Sequence, residues 1–303
     1  MSGIALAEIR AARERISDAV VRTPVVAYDD RIQLKLESLQ PIRSFKLRGA
    51  LNAMRAQELQ DVVVTASAGN MAQGVAWAAR ALGVRARIVA PENAPRAKLD
   101  RVEELGGEVL LVPHEVWWQT MVDRGHPDVP GLFIHPVEDE LVMAGNGTIG
   151  LELLEDAASF DTVVVPWGGG GLTTGIASAL RALRKEVRIV TAEPETAAPL
   201  AAALRAGGPT EIEYRPSFVD GAGGRALLPT MWDRARGLVD EAVAVPLDET
   251  REALRLLATR AGVVAEGAGA LALAVALRRT DRCVAIVSGA NIDASVYAEI
   301  LAA

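Results

Sequence analysis

Short apolar runs alternate with segments of helical periodicity along most of the chain, and this alternation limits the folds available to it. Each run is five or six residues long, and most are rich in valine or isoleucine. Between the runs, apolar side chains recur at helical spacing, as at Met71, Val75 and Leu82. This pattern predicts an α/β fold in which βαβ units surround a buried parallel sheet. The predicted strands are 61–65, 86–90, 108–112, 161–166, 187–192 and 282–287, and the predicted helices are 71–82, 94–105 and 172–183.

Composition narrows the classes of function open to the chain. Its 303 residues are half apolar and 23% charged, with a net charge of −7, which disfavours nucleic acid because duplex binding needs a clustered positive face. No segment approaches the roughly 20 apolar residues that cross a membrane. The single cysteine, Cys283, cannot form an internal disulfide and lies in an apolar run. We therefore expect Cys283 to be a core residue and the protein to be cytoplasmic.

One lysine is a candidate for chemistry because lysine is scarce. The chain has 28 arginines but only four lysines, at positions 35, 46, 98 and 185. A desolvated lysine can lose its proton and become a nucleophile, which arginine cannot do. Lys46 lies between two apolar residues, shortly after a Gln-Pro turn. On this pattern alone Lys46 is either a functional amine or one of four lysines that remain after codon bias.

Three loops follow predicted strands, which is where parallel sheets bind ligands. Residues 168–171 are four glycines before a helix, and they could hold a phosphate or form only a tight turn. Residues 67–70 also precede a helix, and they could bind an anion or act as an ordinary N-cap. Residues 288–291 end the last core strand and could be no more than a cap and a turn. Each loop alone leaves both interpretations open.

Taken in order, these segments resemble the fold-type II pyridoxal-phosphate enzymes, specifically the threonine/serine dehydratase (ammonia-lyase) branch, which also contains serine racemases. The similar segments are LESLQPIRSFKLRGA (36–50), SAGNMAQGVA (67–76), HPVEDELVMAGNGTIGLEL (135–153), VVVPWGGGGLTTGIA (163–177), AEPE (192–195), EGAGA (266–270) and SGAN (288–291). The resemblance implies a tryptophan synthase β-like fold with parallel or mixed sheets flanked by helices. It also implies a large cofactor-binding domain (1–47 and 139–303), a small mobile domain (48–138) and a homodimer.

The same resemblance implies pyridoxal 5'-phosphate as cofactor and assigns roles to individual residues. Lys46 would carry the cofactor as a Schiff base and then take the substrate Cα proton. Phe45 would pack near the ring, Asn70 would bind its 3′-oxygen, and Ser288 would face its nitrogen. The phosphate loop would comprise Gly168, Gly169, Gly170, Gly171 and Leu172, and the substrate carboxylate would be held by Ser67, Ala68, Gly69, Asn70 and Met71.

The activity implied is the dehydration and deamination of a small hydroxy amino acid, such as L-threonine or L-serine, to a 2-keto acid and ammonia. Racemases of this family carry a second base, a serine, where this chain has Ala68, so dehydration is preferred over the alternative of an amino-acid racemase. Arg43 and Met71 replace the family's usual glycine and histidine. As a substrate-binding residue, Arg43 could pair with the second carboxylate of a hydroxyaspartate, or it could point to solvent.

A divalent cation is bound by some members of the family after the strand that ends in AEPE. Glu193 matches their first ligand, and Ala197 could supply a carbonyl oxygen. Pro199 stands where the second carboxylate would be needed, so no metal ion is expected.

Overall fold

The computed structural model of the chain describes residues 3–94 and 96–302. Its helices are α1 (Leu6–Ile16), α2 (Lys46–Arg55), α3 (Asn70–Leu82), α4 (Arg96–Glu104), α5 (His114–Val122), α6 (Glu140–Asp156), α7 (Gly171–Leu183), α8 (Pro199–Ala206), α9 (Pro229–Leu238), α10 (Leu247–Ala261), α11 (Gly267–Leu277) and α12 (Ala294–Ala302), with a short 3-10 helix at Glu37–Leu39. Its strands are β1 (Val25–Ala27), β2 (Ile32–Leu36), β3 (Val62–Ala66), β4 (Arg85–Pro91), β5 (Gly107–Val112), β6 (Leu132–Phe133), β7 (Thr162–Pro166), β8 (Arg188–Pro194), β9 (Glu241–Val245) and β10 (Cys283–Val287).

The strands form two sheets, and the predicted α/β class is confirmed. One sheet has six strands in the order β1-β2-β10-β7-β8-β9, all parallel except for the antiparallel pair β1-β2. The other has four parallel strands in the order β5-β4-β3-β6. Each predicted strand and helix is present, with ends that move by up to two residues. The helix predicted from position 94 begins at Arg96, and Pro95 between them lies outside the described residues.

Parallel pairing brings the candidate loops to common sheet edges. Strands β7 and β10 are neighbours, so the loops after them, 168–171 and 288–291, lie side by side. The turn before α2 is joined to the second of these loops by a bridge between Ser44 and Gly289. Across this junction the Phe45 N–H donates to the carbonyl oxygen of Ser288 at 3.1 Å. The lysine and two of the three loops are therefore held together by backbone hydrogen bonds.

Helix α6 packs through glycines against α2, which begins at Lys46, and against α7, which follows the glycine run. A Cβ added at Gly145 would collide with the carbonyl oxygen of Arg48 in α2. A Cβ added at Gly175 in α7 would collide with the carbonyl oxygen of Met143 in α6. Because these neighbours are backbone atoms, no rotamer change can make room for a larger residue. Helix α6 thereby fixes the helix that carries Lys46 relative to the helix that follows the glycines.

A buried ion cluster, made of Lys35, Glu37, Arg48 and Glu152, lies beneath the start of α2. Lys35 Nζ donates to Glu152 at 2.5 Å and to the carbonyl oxygen of Thr23 at 2.6 Å. Arg48 donates to Glu37 at 2.8 Å and to Glu152 at 2.6 Å. The two cations and two anions balance, which is the condition under which buried charges are tolerated. Lys35, one of the four lysines of the chain, is thus a structural ion-pair partner.

Candidate active site

The Lys46 amine lies in a cavity between α2 and the loops that follow the strands. Its Nζ donates to the carbonyl oxygen of Pro136 at 3.2 Å and lies 5.3 Å from the centre of the Phe45 ring. Burial lowers the pKa of the Lys46 ammonium to about 8, although the Glu266 carboxyl acts in the opposite direction. An amine with this pKa is partly neutral near physiological pH, so it can serve as a nucleophile or a base.

The glycine loop, residues 168–171, lines the same cavity as Lys46. Gly170 has a φ of +94°, a left-handed conformation that glycine adopts without strain. A Cβ at Gly169 would lie 2.5 Å from Cγ2 of Val137, so only glycine lets the backbone approach this closely. The loop leads directly into α7, whose first N–H groups have no helical acceptors. The free N–H groups at this helix start and the helix dipole make this end of the cavity suitable for a phosphate.

Phe45, Leu172 and Ser288 complete the wall of this cavity. Phe45 and Leu172 are buried apolar residues of one hydrophobic cluster, and Ser288 is the buried polar residue at the end of β10. The predicted cofactor residues from 45–46, 168–172 and 288 therefore come together around one space. Asn70 lines a neighbouring cavity, which shares Gly221 with the first.

Asn70, the first residue of α3, takes part in a side-chain network that spans the two sheets. Its Nδ2 donates to Oε1 of Glu266 at 2.8 Å, and its Oδ1 accepts from Nδ2 of Asn291 at 2.8 Å. Asn291 also donates to the carbonyl oxygen of Ile42, in the turn that precedes α2. These bonds fix which side of the Asn70 amide is the donor. They join the start of α3 to the loop after β10.

The residues on either side of Asn70 do not all line a cavity. The Ser67 Oγ accepts a hydrogen bond from the Gly69 N–H at 3.2 Å, and Ser67, Ala68 and Gly69 are half-buried. Gly69 lines the same cavity as Asn70. Met71, in contrast, is buried in the hydrophobic core beneath α3 and lines neither cavity. Of the predicted carboxylate-binding segment, Gly69 and Asn70 line the cavity, Ser67 and Ala68 are half-buried beside it in sequence, and the Met71 side chain lies in the core.

Arg43 lies apart from these cavities. It is exposed, has a φ of 56°, and lines a separate groove with Arg260, Tyr28 and Val264. Its backbone carbonyl oxygen accepts from the Ala290 N–H, so the main chain of Arg43 supports the site while its side chain leaves it. Of the two interpretations of Arg43, the structure favours the one in which it points to solvent.

Two charged residues that sequence reasoning had not placed in the site lie at the rim of the Asn70 cavity. Lys98 of α4 forms an ion pair with Asp220, which belongs to the long segment between α8 and α9. The pairing could not be found from spacing, because the partners are 122 positions apart. The segment around Asp220 is irregular but ordered by hydrogen bonds.

Glu266 is a third charged residue that the sequence analysis did not place in the site. It is buried directly before α11, and burial raises the pKa of its carboxyl to about 7, with Asp220 adding to the effect. The signal in the sequence was an acidic residue before the glycine- and alanine-rich start of a helix, in EGAGA. That signal alone does not distinguish a helix cap from a member of an active site.

Glu193 and Cys283 take structural positions. The Glu193 carboxylate accepts from the N–H groups of Leu200 and Ala201, at the start of α8, at 2.9 and 2.8 Å. Within residues 3–94 and 96–302, no group of three or more histidine, cysteine, aspartate or glutamate side chains is arranged to hold a metal ion.

Cys283 is fully buried in the core at the start of β10. In the same ranges no helix has the length and apolarity needed to span a bilayer.

The arrangement fits pyridoxal phosphate on three counts. An amine with a lowered pKa is available for the aldehyde, a glycine turn at a helix start that has no room for a Cβ at Gly169 is available for the phosphate, and Phe45 offers an apolar wall for the ring. A lysine and a phosphate-binding turn in one cavity at the carboxyl ends of parallel strands define the class of protein as an enzyme that uses this cofactor.

Comparison with known proteins agrees with this assignment. The family model described as "Pyridoxal-phosphate dependent enzyme" matches residues 16–289, and the chain belongs to this family. An L-threonine ammonia-lyase of Thermotoga maritima is 36% identical, over 98% of this chain and 78% of its own length. The crystal structure of the T.th. threonine deaminase has a TM-score of 0.85 at 36% identity and covers 95% of this chain and 99% of its own. Maize serine racemase has a TM-score of 0.90 at 31% identity, with coverages of 98% and 96%.

Proposed function

We propose that this chain is an ammonia-lyase that dehydrates and deaminates L-threonine or L-serine, with pyridoxal phosphate held on Lys46. The observation that carries the proposal is the position of the Lys46 amine, with its lowered pKa, in one cavity with the glycine loop. The relatives named as threonine ammonia-lyase and threonine deaminase support this reaction over others catalysed with the same cofactor.

Each group of residues around the cavity would bind a different part of the cofactor. Gly168, Gly169, Gly170 and Gly171 would hold the phosphate through backbone amides, and Leu172 would close that end. Phe45 would pack beside the ring, Asn70 would hydrogen-bond the ring hydroxyl, and Ser288 would face the ring nitrogen. When bound, pyridoxal phosphate supplies an electron sink that acidifies the Cα proton of an attached amino acid. Lys46 Nζ takes that proton, for which an amine with a pKa of about 8 is suited.

We expect the substrate carboxylate to bind at residues 67–70, because Gly69 and Asn70 line the cavity and the first N–H groups of a helix have no helical acceptors. The methyl group of Ala68 cannot hold a proton, so we expect little racemisation. A hydroxyaspartate would need a cation for its second carboxylate. Arg43 lies in another groove and Lys98 is paired with Asp220, so a substrate with a small neutral side chain is favoured.

We further propose that residues 48–138 form a small domain that closes over the substrate, and that 1–47 with 139–303 form the large one. The Lys98–Asp220 ion pair spans the two parts at the cavity rim and would hold the closed state. Closure would exclude water from the reacting atoms. We expect a cytoplasmic homodimer, and light scattering of the purified protein tests the dimer.

The proposal is tested by a visible absorption spectrum of the purified protein and by keto-acid formation. We expect a cofactor band that is lost in Lys46→Ala, and keto acid from L-threonine or L-serine. A chiral assay of each serine enantiomer measures inversion, and inversion faster than keto-acid formation would indicate a racemase. A protein that gives no cofactor band after incubation with pyridoxal phosphate would refute the proposal.

A further inference from the structure

Glu266 occupies a position that a helix cap alone does not explain. It lies immediately before α11, yet its side chain makes no capping hydrogen bond to that helix. Its Oε1 instead accepts from Nδ2 of Asn70, a residue 196 positions away at the start of α3. A Cβ at Gly289 would lie 2.5 Å from the same Oε1, so a glycine makes room for the carboxyl. The carboxyl is thus aimed at the site and not at its own helix.

The Asn70 amide is oriented from both ends by this arrangement. Asn291 donates to its oxygen, and Glu266 accepts from one of its two N–H groups. The second N–H of Asn70 Nδ2 is then available to an acceptor in the cavity. Without Glu266, rotation of the amide would be opposed by the Asn291 bond alone. Fixed donors cost less free energy to use than donors that must first be ordered.

We propose that Glu266 is a positioning residue that orients the Asn70 amide toward the cofactor, from a cavity that adjoins the cavity of the Lys46 amine. This inference rests on the proposed placement of the cofactor at Lys46. It goes further by assigning a role to a carboxyl that does not itself contact the reacting atoms.

Burial and nearby charges shift the pKa of Glu266, and the charge of Glu266 in turn shifts the pKa of Lys46. Burial and the Asp220 carboxylate raise the pKa of the Glu266 carboxyl to about 7, while the Asn70 hydrogen bond and the Lys98 ammonium oppose that rise. Once ionised, the Glu266 carboxylate favours the ammonium form of Lys46 and keeps its pKa near 8 against the effect of burial. Removal of the negative charge should therefore lower the pKa of Lys46 further, by about one unit for a charge of this kind.

The experiment measures the pKa of Lys46 in the full-length protein after removal of the cofactor with hydroxylamine. Reductive ¹³C-methylation followed by NMR reports each lysine, and Lys46→Ala assigns the signal among the four lysines. In Glu266→Gln, which keeps an acceptor oxygen for Asn70, we expect the Lys46 midpoint to fall by about one pH unit with cofactor affinity changed less than about threefold. In Glu266→Ala we expect the same fall and a cofactor affinity about tenfold weaker, because Asn70 also loses its acceptor.

Glu193→Gln is the matched control, because Glu193 is another buried carboxyl whose pKa is raised to about 7. It should leave the Lys46 midpoint unchanged. An unchanged midpoint in Glu266→Gln, or the same shift in Glu193→Gln, would overturn the proposal. Failure of the cofactor placement itself would be recognised separately, by the absence of a cofactor band that depends on Lys46.

Discussion

Replacement of Lys35 by methionine should destabilise the protein far more than its distance from the cavity suggests. Lys35 is fully buried in β2, and its Nζ donates to the carbonyl oxygen of Thr23 and to Glu152. Methionine fills a similar volume but leaves the buried ion cluster with one cation, Arg48, and two carboxylates. The cluster then carries an uncompensated negative charge in a buried region.

The magnitude follows from the burial of the partners. Removing one member of a buried ion pair costs about 3–5 kcal/mol, whereas an exposed pair contributes less than about 1 kcal/mol. The matched exposed pair is Arg13 with Glu155, whose atoms are 2.6 Å apart but whose side chains are 41% and 43% exposed. We therefore expect Lys35→Met to lower the free energy of unfolding by about 3–5 kcal/mol and Arg13→Met by less than about 1 kcal/mol. The double variant Lys35→Met/Glu152→Gln restores the charge balance and should recover about 2 kcal/mol.

The assay is urea unfolding at pH 7 followed by tryptophan fluorescence, at one saturating concentration of pyridoxal phosphate for all variants. Its pH dependence gives a second test. Burial raises the pKa of Glu37, but Arg48 and Lys35 outweigh this and hold it below its ordinary value. The stability from Glu37 is present above the pKa of the unfolded chain and is lost as pH falls through the lowered pKa. In Lys35→Met the pKa of Glu37 should be higher than in the parent, so this loss should be smaller and should be complete at a higher pH. A Lys35→Met variant no less stable than Arg13→Met would refute the reasoning.

Three further predictions concern the cavity. Gly169→Ala places a methyl group against Val137, so we expect cofactor affinity to fall at least about tenfold, measured by fluorescence titration. Lys98→Ala removes the pair with Asp220 and should raise KM more than it lowers kcat, with the difference from the parent shrinking at high salt in steady-state assays. The rate of cofactor attachment to the stripped protein should rise with pH through about 8, because attachment needs the neutral Lys46 amine, and stopped-flow absorbance measures it.

The elements that the sequence predicted are those whose information is local. Strands such as β7 and β10 are continuous apolar runs, and helix α3 has a regular apolar face, so each is specified by its own residues. The short strands β1 and β6 have three and two residues and carry no such pattern, and they form only because longer strands lie beside them. Two of the three candidate loops, 168–171 and 288–291, lie side by side because β7 and β10 are parallel neighbours, whereas the loop 67–70 follows a strand of the other sheet.

The partners of charged side chains could not be predicted in the same way. Lys35 lies in β2, but its partner Glu152 is 117 positions away on another element. Lys98 has the sequence setting of a surface lysine, and only the fold brings it to Asp220. For Arg43, in contrast, the sequence suggested a role in the site that the position of its side chain does not support. Its place beside the Ser-Phe-Lys segment suggested a role in substrate binding, but its left-handed backbone turns the side chain into a different groove.

The contrast between Glu193 and Glu266 shows why a perturbed pKa does not identify a functional group by itself. Burial raises both carboxyl pKa values to about 7. Glu193 uses both of its oxygens on N–H groups seven and eight residues ahead, so its interactions stay within one strand-to-helix turn. Glu266 accepts from a side chain on the other sheet's helix, in a cavity that also holds Lys98 and Asp220. The hydrogen bond of Glu266 depends on the relative position of two separate parts of the fold, whereas the hydrogen bonds of Glu193 do not. This difference in connectivity is the reason to mutate Glu266.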